Sequence, residues 1–298
     1  MDYDVIIVGG SWAGLAAAMQ LARARRKICV IDSGKPRNRF APASHGVFGF
    51  DGMAAAQING TVRGQLLSYP SATIRDGAAV DAQPDRDAFS VALADGQTLT
   101  ASRLILATGV VDELPPIPGL QERWGQSVLH CPYCDGYEVA DRRLGVLATM
   151  DESLHQAAVL VDWSANIVVF TNGAISPDDA TLGELRAKGL QIEDAPVSEL
   201  VGDGPALRAA RLADGRKIPL DALFTISRTR MAAPLADQLG CEFEEGPFGP
   251  VISTDDQKQT TVAGVYAAGD AARPVHNASW ALADGVTAGI AAHQSLLT

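Results

Sequence analysis

The stretch "YDVIIVGGSWAGLAAAMQLARARRKICVID" (residues 3–32) reads as a strand, a tight glycine turn, an amphipathic helix and a second strand. Val5 to Val8 form a continuous apolar run, as a strand buried on both faces requires. The turn is Gly9-Gly10-Ser11-Trp12-Ala13-Gly14, and Asp32 ends the second strand 18 residues beyond Gly14. That spacing is close to the ~20 residues that separate a dinucleotide-binding turn from the acid that accepts the ribose hydroxyls. Gly9 permits the tight turn and Gly14 lets helix and strand pack closely. Ser11 stands where backbone approaches a pyrophosphate, and it is small enough to be tolerated there. The pyrophosphate is then expected on the helix N-terminus, held by Gly9, Ser11, Trp12, Ala13 and Gly14, with Asp32 and Ser33 at the ribose. The alternative is a glycine turn in an α/β domain without a ligand. A glycine pattern alone would not decide, but strand, turn, helix, strand and acid stand here in register.

The rest of the chain limits the partners. At 298 residues it is long enough for two domains, each with its own core. A net charge of −11 argues against nucleic acid or an anionic membrane as the main partner. No apolar run approaches the ~18 residues of a membrane span. MDYDVIIVGG has the wrong order for a signal peptide, so a cytoplasmic protein is expected. Four cysteines, Cys29, Cys131, Cys134 and Cys241, are too few for a disulfide scaffold.

Two distant segments bear on which dinucleotide is bound. "RLILATGVVDELPPIPG" (103–119) is an apolar strand ending in Ala107-Thr108-Gly109, and "TTVAGVYAAGDAARP" (260–274) is another ending in Gly269-Asp270. With the first motif, both resemble the flavoproteins built from two dinucleotide-binding domains. The resemblance implies that Thr108-Gly109 marks the chain's exit from an FAD domain, and Gly269-Asp270 its return, with Asp270 on the ribityl chain. Asn277 is a plausible N-cap for the last helix. The resemblance points this helix start, with Ala278, at the flavin.

Between about 116 and 242 a second α/β pattern follows the motif "HCPYCDGYE" (130–138). An FAD domain split by an insert carrying Cys-x-x-Cys-Asp resembles the low-molecular-weight thioredoxin reductases over nearly the whole chain. "GGSWAG", "DSGKPRNRFAPASHGVFGFDG", "HCPYCDGYE" and "GDAARPVHNA" are similar to a branch containing flavin-dependent dithiol oxidases. The fold expected is α/β: two Rossmann-like, three-layer domains with parallel central sheets, FAD-binding over 1–115 and 243–298, and a degenerate NAD(P)-binding-like insert over 116–242. The resemblance implies that Cys134 faces the flavin, Cys131 meets the substrate and Asp135 moves the thiol proton. A Cys-x-x-Cys at a helix start has a lowered first-thiol pKa, and a neighbouring carboxylate can shuttle the proton. Zinc fails on ligand count: Cys29 and Cys241 are isolated, and His130 would be only a third ligand, so no metal is expected. Cys29 and Cys241 read as buried, inert thiols.

The insert departs from the family at its own glycine turn. Ala148-Thr149-Met150-Asp151-Glu152-Ser153 has no glycine where phosphate would lie, and Glu152 adds charge of the wrong sign. The next strand ends in Thr171-Asn172-Gly173, without the cations that grip a 2′-phosphate. NADPH is therefore not expected to bind. Two enzyme readings follow, a dithiol oxidase that passes electrons to dioxygen and a thioredoxin-disulfide reductase fed by ferredoxin, another flavoprotein or NAD(P)H. A flavin-binding regulatory module is the third. The substrate is a small dithiol or disulfide, or a thioredoxin-like protein, and the family implies a homodimer.

Other residues carry smaller expectations. His130 could be a second base or a residue hydrogen-bonded to backbone. His45 and His276 fall in loops that the resemblance places near the flavin, and His276 could assist oxidation. Asn38 and Arg39 follow the second strand where FAD phosphates or ring pass, with Arg39 a phosphate partner. Val80 stands where family backbone meets the adenine. "LADGQ" (93–97) and "LADGR" (212–216) read as hairpin turns.

Overall fold

The computed structural model describes residues 1–297. The chain forms two compact units: residues 1–37, 56–112 and from Thr229 onward make the first, and residues 38–55 and 113–228 the second.

The first unit opens with β1 (Tyr3–Val8), α1 (Trp12–Arg23), β2 (Ile28–Asp32), α2 (Ala55–Leu67) and β3 (Ala72–Asp76). A meander follows, β4 (Ala79–Asp85), β5 (Ala88–Leu93) and β6 (Thr98–Leu106), before the chain leaves through β7 (Val110–Glu113). In the second unit come β8 (Val128–Leu129), α3 (Pro132–Asp135), β9 (Leu144–Leu147), α4 (Glu152–Val159), β10 (Ile167–Phe170), α5 (Asp179–Ala187) and β11 (Gln191–Glu193). Its remaining strands are β12 (Val197–Asp203), β13 (Ala206–Leu212), β14 (Lys217–Pro219) and β15 (Ala222–Thr225). The return runs through β16 (Arg228–Met231), α6 (Leu235–Leu239), β17 (Phe243–Gly246), β18 (Gly249–Ile252), β19 (Val265–Ala267) and α7 (Ala278–Ser295).

The first sheet has the order β3-β2-β1-β6-β5-β4, with β19 also paired to β6. β1, β2, β3, β6 and β19 are parallel, whereas β4 and β5 run antiparallel. The sheet is therefore mixed instead of wholly parallel, because neighbours joined by turns as short as 94–97 can only pair antiparallel. Alternate residues of the apolar strands feed two cores. Ile6, Val8, Cys29 and Ile31 face one side and Val5, Ile7, Ile28 and Val30 the other. On the second side α7 lies directly on α1. A Cβ at Gly285 would come within 2.1 Å of the Ala13 carbonyl oxygen, and one at Gly289 within 2.7 Å of that of Ala17.

α7 is also anchored by charge. Asp284 is 2 % exposed and accepts from Arg273 Nε (2.7 Å) and Nη2 (2.8 Å), with Lys258 Nζ at 3.1 Å. Asp284→Ala leaves two cations without their carboxylate. It is expected to lower the unfolding free energy by about 3 kcal/mol, the low end for a broken buried pair, because Arg273 keeps 33 % of its side chain in water. Chemical denaturation of the FAD-loaded protein checks this, and an unchanged midpoint would contradict it.

The second unit holds a five-stranded parallel sheet, β11-β10-β9-β15-β8, and a three-stranded antiparallel one, β12-β13-β14. Two expected boundaries shift. The chain returns to the first unit at Thr229 instead of 243, and residues 38–55 belong with the second unit. The reason for the latter is contact. Gly125 passes so close to Phe40 that a Cβ there would sit 2.6 Å from the Phe40 Cβ, and Phe40 packs on the Leu120–Trp124 core. Among the described residues no helix is long and apolar enough to cross a membrane.

Candidate active site

In the first unit the glycine turn is held against the sheet by contacts that only glycine allows. A Cβ on Gly9, whose φ is +110°, would meet the Ala107 carbonyl oxygen at 2.1 Å, and one on Gly14 would meet the Gly9 oxygen at 1.8 Å. A Cβ on Gly269 would lie 2.9 Å from the Ala13 Cβ. The fold thus gathers Gly9, Ser11, Trp12, Ala13 and Gly14 with Ala107, Thr108 and Gly109 and with Gly269 and Asp270, from three separate stretches of chain. Ser11 is the N-cap of α1 and makes no side-chain cap of its own. Asn277 caps α7, its Oδ1 accepting from Ser279 N at 2.8 Å just past Ala278. Asp32 lies against Gly10, with its carboxylate bound by Arg63 Nη1 (3.0 Å) and by Gly34 N (3.2 Å) beyond Ser33. A strand-end acid, a bare helix N-terminus and a turn pressed flat onto the sheet fit the adenosine and pyrophosphate of a dinucleotide. Arg63, on α2, carries no motif and was invisible in the sequence. Val80 lies in β4, half exposed, with its carbonyl taken by Gln238 Nε2 at 3.2 Å.

Beside Asp270 sits a second group that sequence reasoning missed. Arg37 makes a two-pronged bond to Asp112, with Nε to Oδ2 at 3.0 Å and Nη2 to Oδ1 at 2.6 Å. Its Nη1 reaches Asp270 Oδ2 at 3.1 Å and His276 Nδ1 at 2.7 Å. Burial pushes the His276 imidazole below its ordinary pKa; Asp270 and Asp112 oppose this and the Arg37 charge adds to it.

In the second unit Cys131 and Cys134 form a disulfide with their Cα atoms 5.3 Å apart. Cys131 is the N-cap of the short helix α3, Pro132 its first residue, and the Cys131 carbonyl accepts from Cys134 N and Asp135 N, both at 3.2 Å. Asp135 sits on this turn. Burial raises its carboxyl to about 6, Glu138 adds to the rise, and His45 opposes it. His45 Nδ1 lies 3.5 Å from Glu138 Oε1, so the segment 38–55 supplies a basic group next to the acids of the redox turn. His130 stacks edge-on against Trp124 at 6.4 Å. Its backbone carbonyl accepts from Gln156 Nε2 at 2.6 Å, which ties the start of the redox turn to α4. Gln156, 6 % exposed, was not foreseen, since a glutamine in a helix gives no sequence signal. Asn38 donates to Ser44 Oγ at 3.0 Å and Arg39 stacks over Phe40 at 4.1 Å, both within the second unit. Cys29 and Cys241 are buried and reduced, and burial raises both thiols. Among the described residues no group of three metal-ligating side chains occurs.

The insert's own turn is closed by a hydroxyl. Ser153 Oγ, fully buried, accepts from Thr149 N at 3.2 Å and lies 3.5 Å from Met150 N. Thr149 Oγ1 donates to the Ile226 carbonyl at 2.6 Å. At the end of β10, Thr171 Oγ1 donates to Asp194 at 3.1 Å, and Asn172 Oδ1 accepts from Val197 N at 2.8 Å. These groups serve the unit's own backbone and bring in an acid, not a cation.

Comparison with known proteins agrees with this geometry. The family model for pyridine nucleotide-disulphide oxidoreductases matches residues 3–285, and the chain belongs to that family. It is a thioredoxin reductase-like, FAD-dependent enzyme. Thioredoxin reductase tcpT of Claviceps purpurea is 35 % identical, covering 99 % of this chain and 94 % of its own. Thioredoxin reductase sirT of Leptosphaeria maculans is 30 % identical over 96 % and 92 %. The crystal structure of an oxidoreductase from Agrobacterium tumefaciens is 46 % identical, covers 100 % and 99 %, and superposes with a TM-score of 0.95.

Proposed function

We propose that this enzyme is an NADPH-independent dithiol oxidase. It converts a small dithiol and dioxygen to the disulfide and hydrogen peroxide. The observation that carries the reading is the insert's turn, where the N–H donors that would face a pyrophosphate are turned on Ser153 Oγ. A nicotinamide dinucleotide would have to break those bonds, push aside Met150 and approach Glu152, without a cation at β10 to compensate. In this reading the first unit binds FAD and the second survives as a frame for the redox turn.

The thiol chemistry is assigned as follows. A substrate thiolate attacks Cys131 Sγ, the Cys131–Cys134 bond breaks, and Cys134 departs as the thiolate. The second substrate thiol, its proton taken by the Asp135 carboxylate, attacks the mixed disulfide, and Cys131 leaves as the substrate closes its own disulfide. FAD, when bound, accepts the two electrons from the reduced pair and delivers them to dioxygen. Gly9, Ser11, Ala13, Gly14, Asp32, Thr108, Gly109, Gly269 and Asp270 would hold it. A cytoplasmic homodimer is the expected working form, carried by the resemblance alone.

The names of tcpT and sirT favour a second reading, reduction of a thioredoxin-like disulfide, for which ferredoxin, another flavoprotein or NAD(P)H would supply the electrons. One experiment separates the two. The FAD-loaded protein in air, given dithiothreitol and no pyridine nucleotide, should consume one dioxygen per dithiol and accumulate peroxide. Rapid bleaching of the flavin by stoichiometric NADPH without air would sink NADPH independence, and no oxygen uptake would sink the oxidase.

A further inference from the structure

We propose that Arg37 is a positioning residue that locks His276 as the neutral imidazole with its proton on Nε2, so that His276 can donate only from Nε2. The argument rests on donor counting. A guanidinium has five N–H donors and no acceptor, so an imidazole nitrogen facing it must be unprotonated. Arg37 Nη1 faces His276 Nδ1 at 2.7 Å, which leaves the ring's proton on Nε2. The arginine cannot turn away, because its other donors are committed: Nε and Nη2 to both oxygens of Asp112, and Nη1 also to Asp270 Oδ2 at 3.1 Å. Asp112 has 8 % of its side chain exposed, so this fork is held in a largely dry place where charge-assisted bonds are strong.

The arrangement assigns His276 a role opposite to that of Asp135. The carboxylate takes a proton from a thiol; His276, held neutral, donates a hydrogen bond from Nε2 and gives up no proton. The charged and titratable groups facing the ring are Arg37, Asp112 and Asp270, with the Arg273 backbone hydrogen-bonded to it and the Phe248 ring 6.2 Å away. With Arg37 in place, one cation stands against the two acids. Without it, both acids face the imidazole alone and favour the imidazolium.

The role in turnover rests on the oxidase reading, but the tautomer does not, so the test reads the tautomer directly. ¹⁵N-histidine-labelled, FAD-loaded protein is examined by NMR across pH 6–8, with the His276 signal assigned by its disappearance in His276→Asn. The wild type is expected to show one neutral tautomer, protonated at Nε2, throughout. In Arg37→Met the ring should become mixed in tautomer and titrate at least one pH unit higher, and the pH profile of thiol-driven oxygen uptake should move with it. An Nδ1-protonated or cationic His276 in the wild type overturns the proposal, even if Arg37→Met does not fold. So does an Arg37→Met spectrum identical to the wild type. If oxygen uptake is absent while the tautomer is as expected, the oxidase reading fails and the lock stands.

Discussion

Cys134→Ser protein, loaded with FAD and supplied with dithiothreitol in air, is expected to lose thiol-driven oxygen uptake by at least about a thousandfold, as when a covalent nucleophile is removed from a concerted group. Cys131→Ser should lose as much. The two variants should differ in what they trap. With Cys134 gone, the Cys131 thiolate given a linear disulfide should attack it and release one of its halves as a thiol, so mass spectrometry should find a mixed disulfide at Cys131. With Cys131 gone, Cys134 should be trapped more slowly, because it lies inside α3 where Cys131 is the N-cap. Neither variant should lose its flavin, since the glycine turn, Asp32, Thr108-Gly109 and Gly269-Asp270 lie in the first unit and the cysteines in the second. Uptake within tenfold of the wild type in either variant would end the claim that electrons enter through this pair.

Asp135→Asn should slow the same reaction by about 10²–10⁴-fold, the usual range for removing a positioned general base. The wild type should also show a pH limb that the variant lacks. Burial holds the Asp135 carboxyl at about 6, with Glu138 pushing the same way. A base works when ionised, so the rate should climb as pH rises through about 6 and level off above it. Glu138→Gln removes an upward push and should move the limb to lower pH. His45→Asn removes the group that opposes the rise and should move it higher. The linkage to stability has the opposite sign. The folded pKa is raised, so Asp135 favours the folded state below its unfolded pKa, and that contribution is lost as pH rises through about 6. Initial rates from pH 5 to 8 check the activity limb. A variant that keeps both the rate and the limb would remove Asp135 from the proton path.

Much of the first unit could be read in advance, because its signals are local. The apolar run of β1, the glycine turn and the Asn277 cap are each set within a few residues, where periodicity and capping chemistry operate, and the spacing to Asp32 spans a single strand–helix–strand unit. The hairpin turns at 93–97 and 212–216 appeared where expected for the same reason. The antiparallel β4–β5 arm and the placement of residues 38–55 were not foreseen. The β4–β5 arm turns through Arg86-Asp87, which lacks the Asn-Gly or Asp-Gly signal of a hairpin, whereas the placement of residues 38–55 depends on partners far along the chain, such as Phe40 with Gly125.

The site divides in the same way. The order of residues by itself determined that the chain carries a dinucleotide turn, a late Gly-Asp and a Cys-x-x-Cys-Asp, because these chemistries need fixed spacings along the backbone. It also showed a second turn stripped of glycine. The structure adds that Ser153 Oγ accepts from the N–H of Thr149 in that turn. It alone brought Arg37, Asp112 and the pair Asp270 and His276 together from three places in the sequence. An arginine's partners are set by where its long side chain ends and by which acids share its burial, and neither is written in neighbouring residues.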